Sequence, residues 1–150
     1  MKPTSIVLDA TVAVDALLRP DAPAGRLVRR FLERRDFEVL LTEGLLEEML
    51  LASTDPRVLD QLGLSREEVE RWIVALGVLA TLVDAGGGGA VAADATLAAA
   101  AAAGECVIVT LDPALLSLPS TGDLEVVRPE VLMEILEARD GAGPSAGRTV

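Results

Sequence analysis

The sequence predicts one α/β domain of three layers, with helices on both faces of a central, mainly parallel sheet of four to five strands. Two observations lead to this prediction. Short runs rich in Val, Ile and Leu alternate with longer amphipathic stretches, which is the pattern of strands joined by crossover helices. The chain has 150 residues, 51% of them apolar and only 2% aromatic, so one core of aliphatic side chains is expected.

Five short apolar runs are predicted as strands because they are rich in aliphatic and β-branched residues and are bounded by polar or turn residues. They cover residues 5–9, 37–42, 81–84, 106–110 and 124–127. Strands that alternate with helices pair in parallel, and ligands of such sheets bind beyond the carboxyl ends of the strands. Functional side chains are therefore expected just after these strands.

Seven stretches are predicted as helices from their apolar periodicity and their cap residues. Thr11 is the expected cap of the first helix, and Ser65 with Glu68 forms a capping box at the start of the longest. The predicted helices cover residues 11–18, 24–35, 42–53, 65–80, 94–103, 112–117 and 129–138. Apolar periodicity ends there, so residues 1–138 are predicted as the folded domain and 139–150 as a disordered tail.

The residue types that are missing restrict the chemistry of the protein. The chain has no histidine, which excludes Ser-His-Asp and Cys-His catalysis and the usual zinc sites. It has no tyrosine and a single lysine, Lys2, so acid–base work falls to carboxylates, arginine or metal-bound water. The single cysteine, Cys106, excludes an internal disulfide and is expected to be buried.

The net charge of −11 argues against a protein that coats nucleic acid through a broad basic surface. Five arginines nevertheless fall in one short segment. They are interpreted either as a solvated helix face or as a basic strip that binds phosphates or an acidic partner. They are Arg26, Arg29, Arg30, Arg34 and Arg35. No apolar run is long enough to span a bilayer and the N-terminus lacks a secretory pattern, so we expect a cytoplasmic protein without a membrane partner.

Four acids are expected near one rim of the sheet. Asp9 ends the first strand and Asp112 lies just past the fourth. Asp94 begins an alanine-rich helix, and Glu48 borders the apolar stripe of its helix whereas Glu47 points further toward solvent. Each has an ordinary alternative, since the aspartates suit helix caps or turns and Glu48 suits a solvated helix face.

Grouped carboxylates repel one another unless a hard divalent cation, such as Mg²⁺ or Mn²⁺, lies between them. Other α/β sites with an aspartate after the first strand, in dehalogenase-type phosphatases and response-regulator receivers, need a later lysine that this chain lacks. The glycine run at 86–89 lacks the Lys-Ser/Thr of a phosphate-binding loop. Metal-bound carboxylates alone are typical of nucleases, in which the cation activates water and stabilises the phosphodiester charge.

The motifs resemble those of PIN-domain ribonucleases, which include the VapC-type toxins of bacterial toxin–antitoxin pairs. "IVLDATVAVDALL" is similar to the opening strand and helix of that family, and "LLEEML" to its second motif. "DATLAAAAAAGECVIVTLDPALL" is similar to its third and fourth motifs. The resemblance covers roughly residues 5–138 and implies a PIN-like fold.

The resemblance implies a catalytic metal site for Mg²⁺ or Mn²⁺, with supporting hydroxyls from Thr11 and Thr110. The implied ligands are Asp9, Glu48, Asp94 and Asp112. The implied function is metal-dependent endoribonuclease, with RNA as substrate, a small antitoxin as partner, and a homodimer supported by the Leu-rich face of residues 66–79.

One departure from the family keeps an alternative open. Further acids often flank the third and fourth motifs of the family, whereas alanine fills those places here: Ala92, Ala93 and Ala114. The alternative is therefore a degenerate PIN module that binds RNA or a protein partner without catalysis.

Overall fold

The structure is a computed structural model that describes residues 4–84, 95–119 and 124–142. Five strands form one sheet: β1 (Ser5–Leu8), β2 (Glu38–Leu41), β3 (Thr81–Leu82), β4 (Cys106–Val109) and β5 (Leu124–Val127). Eight helices flank it within the described ranges: α1 (Ala10–Leu18), α2 (Pro23–Arg34), α3 (Glu43–Ser53), α4 (Pro56–Leu62), α5 (Arg66–Leu79), α6 (Ala95–Ala103), α7 (Pro113–Leu116) and α8 (Pro129–Ala142). The predicted fold class is confirmed.

All strand pairs are parallel, and the strand order is β3-β2-β1-β4-β5. From β1 the chain proceeds to β2 on one side, whereas from β4 it proceeds to β5 on the other. The strand order therefore reverses between β1 and β4, where an α/β sheet leaves a crevice for ligands. The amide of Asp9 donates to the carbonyl of Val109 at 3.0 Å, so the two strands stay paired up to this crevice.

The core is aliphatic, as the composition predicted. The middle strand β1 is covered on both faces, and Ile6, Val7 and Leu8 are fully buried, which explains a continuous apolar run rather than an alternating one. The two phenylalanines, Phe31 and Phe37, contact each other with their ring centroids 5.6 Å apart. Cys106 is buried, as expected, and burial raises the pKa of its thiol.

Two boundaries differ from the sequence predictions. Asp9 caps α1, so the prediction that Thr11 is the cap was wrong. The carboxylate of Asp9 accepts a hydrogen bond from the amide of Thr11, and the hydroxyl of Thr11 donates to the same carboxylate. The last helix continues past residue 138 to Ala142, because Asp140 binds arginines of α2. Residues 143–150 of the predicted tail lie outside the described residues.

The stretch 55–63, which had no predicted structure, forms α4. Asp55 caps its beginning, and Gly63 ends it in the left-handed conformation at φ 67°. At the start of α2, a Cβ on Gly25 would lie 2.2 Å from the carbonyl oxygen of Pro20, so this close approach requires glycine. Among the described residues, no helix has the length and apolar character needed to cross a membrane.

The arginines of α2 bind carboxylates of the same chain. Arg30, whose side chain is 8% exposed, donates to both oxygens of Asp140 at 2.8 and 2.9 Å and to Asp36 at 2.6 Å. Arg34 also reaches Asp140 at 3.3 Å, and Arg26 reaches Glu137 of α8 at 3.2 Å. These arginines therefore link α8 to α2. This role was not predicted by the interpretation of the segment as a solvated helix face or by its interpretation as a basic strip.

The charges in this Arg30 cluster (Arg30, Arg34, Asp36 and Asp140) perturb one another. Hydrogen bonds from Arg30 lower the pKa of Asp140 to about 2, with a further contribution from Arg34. Burial raises the pKa of Asp36, but the hydrogen bond and charge of Arg30 outweigh it, and the net shift is downward. Hydrogen bonds to Asp140 and Asp36 raise the pKa of Arg30. All three groups are therefore held in their charged forms.

Candidate functional site

Asp9 is a buried carboxylate at the carboxyl end of the middle strand, with 5% of its surface exposed. As the cap of α1, its Oδ2 accepts a hydrogen bond from the amide of Thr11 at 3.3 Å. The ordinary interpretation of this residue as a helix cap is therefore correct. It does not account for the remaining contacts of the carboxylate, which come from three different parts of the chain.

Three threonine hydroxyls surround the carboxylate of Asp9. Oδ2 accepts from Thr11 Oγ1 at 2.5 Å and from Thr110 Oγ1 at 2.9 Å, and Oδ1 accepts from Thr96 Oγ1 at 2.5 Å. Thr96 and Thr110 are fully buried, whereas Thr11 is exposed. Asp9 and these three threonines are called the Asp9 site below. In the described part of the chain, no ion pair includes Asp9.

The same hydroxyls connect the loops that follow β1 and β4. Thr110 Oγ1 accepts from the amide of Asp112 at 2.9 Å, and Thr11 Oγ1 accepts from the amide of Leu111 at 3.1 Å. Asp112 is half-buried and caps α7 by accepting from the amide of Ala114 at 2.9 Å, with Pro113 at the first helical position. One threonine thus separates Asp9 from the backbone of Asp112, and both acids lie where the strand order reverses.

An open groove of about 910 Å³ lies beside the Asp9 site, between α1, α3 and α4. Its lining includes the exposed Thr11 and, from α3, Glu48. Apolar side chains and four acids line the groove, together with one arginine: Ala10, Val14, Leu18, Ala52, Val58 and Leu111; Asp15, Glu48, Asp55 and Asp60; and Arg57. Some of this charge is already paired, since Asp15 binds Arg19 at 2.8 Å and Asp55 binds the amide and side chain of Arg57.

The four predicted acids are therefore distributed as follows. Asp9 and Asp112 lie together at the rim of the sheet, and Glu48 lies in the adjoining groove with its side chain exposed. Asp94 lies outside the described residues. Within residues 4–84, 95–119 and 124–142, no three His, Cys, Asp or Glu side chains are close enough together to hold a metal ion. Asp9, Glu48 and Asp112 thus do not form a group of three metal-binding acids in this structure, and the place of Asp94 beside them remains a prediction.

The donor chemistry of the rim fits a hard cation. A buried carboxylate is costly without compensating charge or hydrogen bonds, and Asp9 has hydroxyl and amide donors but no arginine or lysine among the described residues. Carboxylate oxygens are the ligands that Mg²⁺ and Mn²⁺ prefer. Hydrogen-bond donors behind a ligand also fix its orientation, as metal sites require. Asp9 and Asp112 are thus suitable ligands, and the threonines are suitable supports.

The sequence motifs imply supporting roles for Thr11 and Thr110 but do not single out Thr96. The available signal was its position, because Thr96 is a lone polar side chain in the run "ATLAAAAAA" that forms α6. A threonine that is fully buried in such a helix needs a hydrogen-bond partner, and Asp9 is such a partner here.

Comparison of the chain with protein-family models, with curated proteins and with solved structures gives no match.

Proposed function

We propose that this protein is a metal-dependent endoribonuclease of the PIN-domain type. One observation carries the proposal: a buried carboxylate without an ion pair in the described part of the chain lies at the reversal of strand order, where α/β sheets bind ligands. The proposed ligands of Mg²⁺ or Mn²⁺ are Asp9 and Asp112 at the rim, Glu48 from the groove, and Asp94, which lies outside the described residues and is included on the sequence prediction.

Each part of the rim has a separate role in this proposal. Asp9 and Asp112 bind the cation, while Thr11 and Thr110 hold Asp9 and the loop after β4 in one arrangement. The groove beside Thr11 receives the RNA strand next to the rim. A bound Mg²⁺ or Mn²⁺ supplies activation of water and stabilisation of charge on the phosphodiester. The cation also offsets the acidic character of the groove toward a polyanionic substrate.

The proposed partners follow from the same assignment. An acidic groove suits a basic segment of a small antitoxin, which would occupy the site in place of RNA. A homodimer is supported by exposed apolar side chains on α5, where Val74 and Val78 are 55% and 76% exposed one helical turn apart. We further propose that the protein acts in the cytoplasm.

The direct test is cleavage of labelled single-stranded RNA by the purified protein with Mg²⁺, with Mn²⁺ and with EDTA. Cleavage is expected only with a divalent cation, and D9N serves as the control for a contaminating ribonuclease because it should be inactive in every buffer. Cleavage that persists in EDTA would contradict the proposal. RNA binding without cleavage would favour the degenerate module, which the alanines at positions 92, 93 and 114 make the second candidate.

A further inference from the structure

We propose that Thr96 is a positioning residue that holds the carboxylate of Asp9 in the orientation in which it binds the cation; this inference rests on the proposed function. The two carboxylate oxygens of Asp9 are in different environments. Oδ2 accepts three hydrogen bonds, from Thr11 Oγ1, Thr110 Oγ1 and the amide of Thr11. Oδ1 accepts one among the described residues, from Thr96 Oγ1. Thr96 is therefore the residue that holds the Oδ1 side of the carboxylate, and loss of its hydroxyl leaves that side without this donor.

Thr96 suits this role because the surrounding helix and sheet hold its side chain in place. Its side chain is fully buried, and it lies in the first turn of α6, which contacts β1 and β4. Its hydrogen bond to Asp9 spans 87 positions of sequence, so it joins the start of α6 to the end of β1. A carboxylate that is held from one side by two threonines and from the other by Thr96 cannot rotate without breaking charge-assisted hydrogen bonds.

The hydrogen bond also bears directly on cation binding. A carboxylate that has lost the Thr96 hydrogen bond can turn about its Cβ–Cγ bond, because only the contacts to Oδ2 still hold it. Loss of the hydroxyl should weaken cation binding even though Thr96 is not itself a proposed ligand.

The test compares three substitutions at this position with a control threonine. T96V keeps the shape and removes the hydroxyl, T96A removes the hydroxyl in a helix that is already rich in alanine, and T96S restores the hydroxyl. The control is T81V, because Thr81 also donates to a carboxylate, that of Glu38 at 3.1 Å, but at an exposed position in β3. Mn²⁺ affinity is measured from the paramagnetic resonance of free Mn²⁺, without RNA, together with the melting temperature in EDTA.

T96V and T96A are expected to weaken Mn²⁺ binding by about 10–100-fold, the usual loss when a partner behind a metal ligand is removed. T96S should bind Mn²⁺ like the wild type, and T81V should not change the affinity. If T96V and T96A lower the melting temperature but bind Mn²⁺ as tightly as the wild type, or if both fail to fold, Thr96 is structural and the inference is overturned. A wild type that binds no Mn²⁺ would instead overturn the proposed function, and the inference with it.

Discussion

The Asp9 site and the Arg30 cluster compensate buried charge in opposite ways. Arg30 is 8% exposed and is paired with two carboxylates of its own chain, Asp36 and Asp140. Asp9 is 5% exposed and receives hydroxyl and amide hydrogen bonds but no cation from the described residues. Both regions join distant segments of the chain, yet only the Arg30 cluster is electrically balanced.

This difference separates a structural role from a functional one. Charges that neutralise each other inside the fold need no ligand of opposite charge. The Arg30 cluster is of this kind, and it links α8 to α2. The carboxylate of Asp9 is oriented by neutral donors and has no charged partner among the described residues, and it lies where the strand order of the sheet reverses. Under the proposed function, the Asp9 site binds a cation from outside, so substitutions in the two regions should have different consequences.

The largest contrast is expected from neutralising one carboxylate in each region. D9N should reduce metal-dependent RNA cleavage by more than about 100-fold, beyond the loss typical of a residue that only orients a ligand. It should also cost about 1–3 kcal/mol of stability, because Asn keeps the helix cap but its NH2 group cannot accept the hydroxyl hydrogen bonds on that side. D36N should leave cleavage unchanged and destabilise the fold by about 1–2 kcal/mol, because Arg30 loses one partner. Cleavage rates and urea unfolding of both variants test this, and equal loss of activity in both would refute the separation of roles.

A second contrast lies within α3. Glu48 lines the groove beside Thr11, whereas Glu47 is exposed and outside it. E48Q should therefore reduce cleavage by at least about 10-fold, a loss expected even of residues that act behind a metal ligand, while E47Q should have almost no effect. A larger loss at position 47 would show that the groove face of α3 is not the one used in the reaction.

The Arg30 cluster can be broken from its cationic side. R30M keeps much of the side-chain volume but leaves Asp36 and Asp140 without their main partner, and it should destabilise the protein by about 2–4 kcal/mol; the partly exposed acids keep this below the full cost of a broken buried pair. R26M is the control, because Arg26 and Glu137 are both about half exposed, and it should cost at most about 1 kcal/mol. Urea unfolding of the two variants measures the difference.

The Arg30 cluster also predicts how stability changes in acid. The pKa of Asp140 is about 2 in the fold, below its ordinary value of 3.8, so its contribution is complete above that ordinary value and disappears as the pH falls toward 2. The melting-temperature difference between wild type and D140N should therefore be largest near neutral pH and shrink between pH 4 and 2. D21N is the control, because the Asp21 side chain is 95% exposed and its substitution should change the melting temperature little. A constant difference for D140N would contradict the assigned pKa.

The two regions also differ in how far the sequence predicts them. The run "SIVL" followed by Asp9 indicates a buried strand that ends at a carboxylate, because that pattern is local. The pairing of Arg30 with Asp140 spans 110 positions and depends on how α8 packs against α2, which no local pattern encodes. The Thr96 hydrogen bond was missed for the same reason, since the packing of α6 against β1 determines it. The sequence pattern thus predicts Asp9 and Asp112 at the rim but not the contacts that orient Asp9.

The smallest expected effect distinguishes a hydroxyl that has partners from one that has none. Ser53 Oγ is fully buried and finds no hydrogen-bond partner among the described residues, whereas Thr110 Oγ1 donates to Asp9 and accepts from the amide of Asp112. S53A removes a desolvated polar atom at the cost of a very small cavity, so it should be neutral or stabilise the protein by up to about 1 kcal/mol. T110V, the matched control, leaves a backbone amide without its acceptor and should destabilise by about 1–3 kcal/mol. Urea unfolding gives the sign of the change in unfolding free energy. If S53A destabilises the fold as much as T110V does, Ser53 has a partner such as an ordered water. Buried hydroxyls then stabilise this protein outside the Asp9 site as well as within it.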